Sequence, residues 1–163
     1  RGCGKSTIAN HLKSLLGYER VAFADSLREI SAIFSSTLKT DRLFLAKLGA
    51  EIRTQLPDFF IQVIKRKIEN SESSLVIEDI RFLEELEFCK SIDAITIRLE
   101  IAKKQQITNL KERGLEENEA LQVIECDDEN ILNSDADWDY VVPAIGNFED
   151  VAIQLDILAG ECL

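Results

Sequence analysis

Arg1-Gly2-Cys3-Gly4-Lys5-Ser6-Thr7 opens the chain, and an apolar helical pattern follows it directly. Gly4-Lys5-Ser6 matches the end of the phosphate-loop pattern G-x-x-x-x-G-K-[ST]. In that pattern the backbone amides of the loop and the N-terminus of the next helix form a nest for phosphate groups. Lys5 would reach the β- and γ-phosphates of a nucleotide, and the Ser6 hydroxyl would bind Mg²⁺. The alternative is a chance Gly-Lys-Ser at the start of a helix.

The loop pattern is cut short at its beginning. Its first glycine would lie two residues before Arg1, the strand that feeds such a loop is not seen, and the chain contains no methionine. We therefore interpret the sequence as a fragment whose first strand is missing. The part of the loop that remains for cofactor binding comprises Gly2, Cys3, Gly4, Lys5, Ser6 and Thr7.

Charge and hydropathy limit the classes of partner. The 163 residues carry a net charge of −11, but all 19 lysines and arginines lie within residues 1–113, whereas residues 114–163 hold 14 acids and no base. An acidic chain is a poor general binder of nucleic acid, and cations near the loop suit a small phosphorylated ligand. No apolar run approaches the roughly 18 residues of a membrane span. We expect neither a nucleic-acid nor a membrane partner, and the oligomeric state stays open.

Cysteine and histidine usage narrows the chemistry. Cys3, Cys89, Cys126 and Cys162 are scattered without a C-x-x-C pair, which favours free thiols over zinc ligands or disulfides. Free thiols are typical of a reducing cytoplasm, where we expect this protein. His11 is the only histidine, so a histidine-based triad or metal cluster is not expected.

Helical and strand patterns alternate along the chain. Helices are predicted over residues 5–16, 27–34, 43–55, 57–68, 82–90, 101–113 and 148–158, and strands at 21–24, 75–77, 94–99 and 140–142. These strands are short and apolar, which is typical of a parallel sheet buried on both faces. We predict an α/β fold with a three-layer, doubly wound parallel sheet, in a single domain over residues 1–163.

Two predicted strand ends carry an acid, and ligands of open parallel sheets bind beyond the carboxyl ends of the strands. Asp79 follows Leu75-Val76-Ile77-Glu78, where a carboxylate can hold Mg²⁺ opposite Ser6. Asp25 ends the strand at 21–24 in the same way. For both acids the alternative is a structural role as N-cap of the following helix.

Three arginines near these ends are candidates to clamp a phosphate-bearing acceptor, because a guanidinium binds phosphate bidentately. Arg28 lies one turn after Asp25, Arg53 lies late in the helix over 43–55, and Arg81 is two residues after Asp79. The alternative for each is an ordinary surface residue.

Residues 101–137 are a candidate lid, because they begin with a polar, basic helical pattern. Lys104 and Arg113 are its candidate cations, which would stabilise charge on a transferring phosphoryl group. An exposed helix without such a role is the alternative.

These stretches together resemble the P-loop nucleoside monophosphate kinases, most closely the deoxynucleoside monophosphate kinases of phages and bacteria. The matching segments are Gly4-Lys5-Ser6-Thr7, residues 21–28 (similar to F-A-D-x-L-K), residues 48–53 (similar to L-G-x-x-x-R) and residues 76–85 (similar to D-x-R-F-x-x-E). Asp139-Tyr140-Val141-Val142 with Gly146-Asn147 is a weaker match to the last strand and the base-side loop. The resemblance covers most of residues 1–100 and is thin from 101 to 137.

The resemblance implies ATP and Mg²⁺ as cofactors and a (deoxy)nucleoside monophosphate as acceptor. Lys5, Arg53, Asp79 and Arg81 would be the catalytic group, with Ser6 and Asp79 at the metal. The acceptor would be faced by Asp25, Arg28, Arg53 and Arg81. The chain departs from the family at residue 28, where lysine is common, and at residues 125–129, which stand where the family often has a histidine-serine-glutamate type stretch.

Two other functions stay open. Dephospho-coenzyme A kinases have a similar core, but their acceptor is a hydroxyl, so Asp25 would have to act as a general base. A nucleotide-binding module without catalysis would bind ATP and form no product.

Overall fold

A computed structural model describes residues 2–125, 132, 136–144 and 151–153 of the chain. These residues form a mixed α/β protein with two compact units. The terminal unit comprises Arg1–His11 and Arg81–Leu163, and the central unit comprises Leu12–Ile80. The single domain over residues 1–163 stays a prediction.

The described elements follow one another as alternating helices and strands. In chain order they are α1 (Lys5–Leu16), β1 (Glu19–Ala22), α2 (Asp25–Phe34), a 3₁₀ turn (Leu38–Thr40), α3 (Arg42–Gln55), α4 (Phe59–Glu69), β2 (Leu75–Glu78), α5 (Leu83–Ser91), β3 (Ile97–Glu100), α6 (Lys103–Glu112), α7 (Glu117–Ile124) and β4 (Tyr140–Pro143). Residues 151–153 are also helical. Within these ranges, every helix is too short or too polar to cross a membrane.

The central unit is built on a parallel pair of strands. β1 and β2 run in register from Glu19 opposite Leu75 to Ala22 opposite Glu78. The core of the unit contains the buried side chains of Val21, Ala22, Phe23, Leu27, Phe60 and Ile64. Because only residues 23 and 24 separate β1 from α2, the carboxyl ends of both strands lie beside the first turn of α2.

The terminal unit contains the second parallel pair, β3 with β4. Hydrogen bonds between Thr96 and Asp139, which we call the clamp, connect the two strands at their beginning. The carboxylate Oδ2 of Asp139 accepts hydrogen bonds from the Thr96 amide (2.7 Å) and the Thr96 hydroxyl (2.6 Å). The Asp139 amide donates to the same hydroxyl oxygen (3.0 Å). Hydrogen bonds from the Thr96 hydroxyl and the Thr96 amide lower the pKa of the Asp139 carboxyl, burial opposes them, and the charge of Lys90 adds to the lowering.

Within the described residues, the predicted elements are confirmed in type and shifted at some ends. α1 has its predicted bounds, and Gly17 ends it as predicted, with a φ of 71°. β1 stops at Ala22 instead of residue 24, because the chain turns at residues 23 and 24 into α2, which begins at Asp25. β3 begins at Ile97 instead of residue 94, because α5 closes through a left-handed Asp93 with a φ of 55°.

The parallel direction of the predicted strands is confirmed for the two described pairs. A three-layer sheet that unites them stays a prediction. α7 lies in an acidic stretch for which the sequence predicted no element. Several predictions fall outside the described residues, namely most of the helix over 148–158, the segment 126–129, the pair Gly146-Asn147, and Cys126 and Cys162.

We expect Asp139→Asn to remove the clamp's contribution to acid-sensitive stability. A carboxyl whose pKa is lowered by folding stabilises the protein above its unfolded pKa of about 3.9, and this is lost as pH falls through the folded-state value. The free energy of unfolding in urea, measured from about pH 2 to about pH 7, should therefore depend less on pH in the variant below about pH 5. Asp137→Asn, which changes an exposed partner of Lys90, is the matched control. Equal pH dependence in both variants would contradict this role of Asp139.

Candidate functional site

The glycine loop leads into α1 through two left-handed glycines. Gly2 and Gly4 have φ values of 73° and 88°, and α1 begins directly after them. The amides of Thr7 and Ile8 both donate to the Gly4 carbonyl (3.0 Å each), which fixes the first turn. Left-handed residues ahead of a helix N-terminus turn successive amides towards one point, where an anion can bind. A Cβ at Gly4 would meet no described atom within 4 Å, so the space beside the loop is open.

Helix α6 holds the start of this loop in place. Gly2 is buried, and a Cβ there would lie 3.1 Å from the Gln106 carbonyl oxygen and 3.2 Å from Leu110 Cγ. The Asn109 side-chain amide also donates to the Gly2 carbonyl (2.7 Å). The helix predicted as part of a lid therefore packs against the loop through one face. Lys104 and Arg113 on the same segment are exposed, and they stay lid candidates.

The polar side chains of the loop fit a nucleotide with its metal. The Lys5 ammonium lies 3.7 Å from the Cys3 sulfur, and Ser6 and Thr7 are exposed on the first turn of α1. The described residues contain no group of three His, Cys, Asp or Glu side chains that could hold a metal. Mg²⁺ is usually held by one or two protein ligands together with water and substrate phosphates, and the Ser6 hydroxyl is an oxygen ligand of the kind that this ion accepts.

The ends of β1 and β2 carry a cluster of alternating charges, which we call the Asp25 cluster: Arg20, Asp25, Arg28, Glu78 and Asp79. The Arg20 guanidinium pairs with the Glu78 carboxylate and lies 3.2 Å from Asp25 Oδ2. Arg28 lies 2.9 Å from Asp25 Oδ1 and 3.7 Å from Asp79 Oδ2. The central unit thus brings together three of the predicted site residues, Asp25, Arg28 and Asp79.

Asp25 and Asp79 are the acids of this cluster that the sequence singled out, with a role as helix N-cap as the alternative for each. Neither is an N-cap, so that alternative is wrong for both. Ala24 precedes α2 at the N-cap position, and Asp25 accepts from the Ala22 amide (3.0 Å) on the strand side. Phe82 occupies the corresponding position before α5. Asp79 instead has a left-handed backbone with a φ of 66°, which is a strained conformation for a residue with a side chain.

Arg20 and Glu78 are members of the cluster that the sequence did not single out. Burial alone would lower the pKa of the Arg20 guanidinium, but its hydrogen bond to Glu78 and the charges of Glu78 and Asp25 raise it overall. The Glu78 side chain is only 5% exposed. A buried carboxylate needs a positive partner, so the ion pair with Arg20 stabilises Glu78 in its buried position.

Arg53 lies elsewhere in the central unit. Its guanidinium carbon is 4.3 Å from the centre of the Phe60 ring. A Cβ at Gly49, one turn earlier on α3, would lie 3.2 Å from Arg53 Nη1 and 3.1 Å from Leu27 Cδ1. The spacing in the L-G-x-x-x-R match therefore has a physical cause, since the glycine leaves room for the arginine.

Arg81 belongs to the terminal unit, as does the glycine loop. The amides of Arg81 and Phe82 donate to Glu85 Oε2 (2.8 and 3.3 Å), and Glu85 is buried. Glu85 was also missed from sequence, although a glutamate at the third position of a helix is a known capping signal. It explains the last letter of the D-x-R-F-x-x-E match.

No protein-family model and no curated protein matches the chain. Its function is therefore inferred from its own residues.

We expect Arg20→Met to lower the free energy of unfolding by about 3 kcal/mol, the lower end for a broken buried ion pair, because it leaves Glu78 buried without its positive partner. The double variant Arg20→Met/Glu78→Leu should recover a large part of this loss. Urea unfolding measures both. Arg66→Met, which changes an exposed arginine of the same unit, is the control. A loss in Arg20→Met no larger than in the control would contradict this account.

Proposed function

We propose that the chain is a P-loop phosphotransferase with a doubly wound α/β fold, which transfers the γ-phosphoryl group of ATP to a (deoxy)nucleoside monophosphate. The observation that carries the proposal is the glycine loop, whose left-handed Gly2 and Gly4 lead into α1 next to Lys5 and Ser6. This backbone is suited to a polyphosphate.

On the donor side, the backbone of residues 2–7 would bind the ATP phosphates, and Lys5 would contact the transferring group. Ser6 and Asp79 would hold Mg²⁺, which when bound neutralises charge on the phosphates. An oxygen of the acceptor phosphate forms the new bond to the γ-phosphorus, and the bond to the bridging oxygen of ADP breaks. The products are ADP and a nucleoside diphosphate.

On the acceptor side, Asp25, Arg28, Arg53 and Arg81 would position the monophosphate. Such an acceptor is already anionic, so the reaction depends on positioning and positive charge and needs no strong base. This agrees with a chain that has a single histidine.

The geometry of Asp25 supports a binding role over the base that a hydroxyl acceptor would need. One oxygen accepts from the Ala22 amide (3.0 Å) and from Arg20 (3.2 Å), and the other accepts from Arg28 (2.9 Å). Both oxygens of Asp25 are thus engaged by donors of the protein itself, which favours a positioning role. We therefore favour the monophosphate kinase over the dephospho-coenzyme A kinase.

The test of the proposal is a phosphotransfer assay with ATP, Mg²⁺, a panel of ribo- and deoxynucleoside monophosphates, and dephospho-coenzyme A. We expect a diphosphate from one or more nucleotides. Asp25→Asn should raise the KM for that acceptor about 10-fold and change kcat less, because it weakens positioning. Asp58→Asn, at an exposed aspartate of the central unit, should leave both values unchanged. Product from dephospho-coenzyme A alone would overturn the proposal, and ATP binding without any product would favour a non-catalytic module.

Two substitutions at Asp79 separate the effect of its charge from the effect of its left-handed backbone conformation. Asparagine tolerates the left-handed conformation, whereas alanine does not. Asp79→Asn should therefore keep the melting temperature close to that of the wild type while lowering kcat on the order of 10²-fold. Asp79→Ala should lower both quantities. Full activity of Asp79→Asn would remove this carboxylate from the proposed metal site.

A further inference from the structure

The setting of Arg53 differs from that of the other arginine described at the acceptor side of the central unit. Arg28 is held by two carboxylates, whereas the Arg53 guanidinium lies over an aromatic ring. That ring belongs to Phe60, which is only 2% exposed. A guanidinium stacked on a ring is attracted through its face. Its N–H donors lie in its plane, so stacking leaves them directed at other groups.

Phe60 is itself fixed in orientation. Its ring meets that of Phe59 edge to face, at 5.2 Å between centres and 89° between planes. Because Phe60 is also buried in the core, its ring face cannot turn without disturbing its neighbours. The Arg53 guanidinium therefore lies against a rigid surface.

Gly49 leaves room for the Arg53 guanidinium. No positive φ is needed there, since Gly49 lies within α3. What it supplies is space, because a Cβ would press on Arg53 Nη1 at 3.2 Å and on Leu27 Cδ1 at 3.1 Å. Leu27 is buried in α2, so it has little freedom to move away.

We infer that Gly49 and Phe60 are positioning residues, which hold the Arg53 guanidinium in one plane so that its edge is presented to the acceptor's phosphate. This inference rests on the proposed function. A planar, pre-oriented fork binds two phosphate oxygens at once, and a freely rotating one loses conformational entropy on binding. Loss of either positioning residue therefore weakens acceptor binding without touching the donor side.

The inference is tested by steady-state kinetics on matched variants. Phe60→Leu removes the ring under Arg53, Phe34→Leu makes the same chemical change at an exposed position of the same unit, and Gly49→Ala fills the space beside Arg53. We expect Phe60→Leu to raise the KM for the monophosphate about 10-fold, with the KM for ATP unchanged and with Phe34→Leu close to the wild type. Gly49→Ala should act in the same direction, although alanine favours the helix more than glycine does.

A double-mutant cycle with Arg53→Lys separates positioning from general loss of structure. If Phe60 acts through Arg53, the double variant should be no worse than the weaker-binding single variant. Additive effects, or equal effects of Phe34→Leu and Phe60→Leu, would overturn the inference.

An NMR measurement keeps this inference separate from the proposed kinase activity. The Phe60 ring should shift the Arg53 Nε–H proton resonance upfield in the wild type and in Phe34→Leu, and the shift should vanish in Phe60→Leu. No diphosphate from any acceptor, with the shift present, would mean that the proposed function fails while the stacking stands. An unshifted resonance in the wild type would overturn the stacking itself.

Discussion

The buried ion pair between Arg20 and Glu78 is the interaction on which the strand-end site depends. The Glu78 side chain is only 5% exposed, a buried carboxylate needs a positive partner, and Arg20 supplies that charge. The same guanidinium reaches Asp25, which in turn holds Arg28 at 2.9 Å, and Arg28 extends to Asp79 at 3.7 Å. Each charge is therefore placed by the one before it. The cluster behaves as one structural group, because moving any member leaves its neighbours with an unmatched charge in a partly buried site.

The pairing of β1 with β2 puts this ion pair in place. In a strand, successive side chains alternate between faces, so Arg20 and Ala22 share one side. Glu78 lies opposite Ala22 in the parallel register and hence on that side as well. A slip of one residue would carry Glu78 to the other face and away from Arg20. The register and the ion pair therefore support each other, and the first turn of α2 adds Asp25 at the same edge.

Sequence patterns predict the local parts of this site and miss the non-local ones. Asp25 and Arg28 are one helical turn apart, so their ion pair follows from spacing along α2. Arg20 and Glu78 are 58 positions apart, and their contact depends on a register that no local pattern fixes. The left-handed backbone of Asp79 is equally hidden, because an aspartate adopts it only where the surrounding structure imposes it. Helix positions were predicted well for the same reason, since an apolar period of 3.6 residues is a local signal.

Gly4 and Gly49 show the same difference between a role that a local pattern reveals and one that depends on the fold. Gly4 has a φ of 88°, so its role is conformational and a loop pattern can reveal it from sequence. Gly49 lies in an ordinary helix, and its role is the volume that it leaves for Arg53 and Leu27. That role depends on which side chains pack nearby, so sequence can show the spacing but not the cause. A glycine can thus serve backbone geometry in one segment and side-chain placement in another, and only the structure separates the two roles.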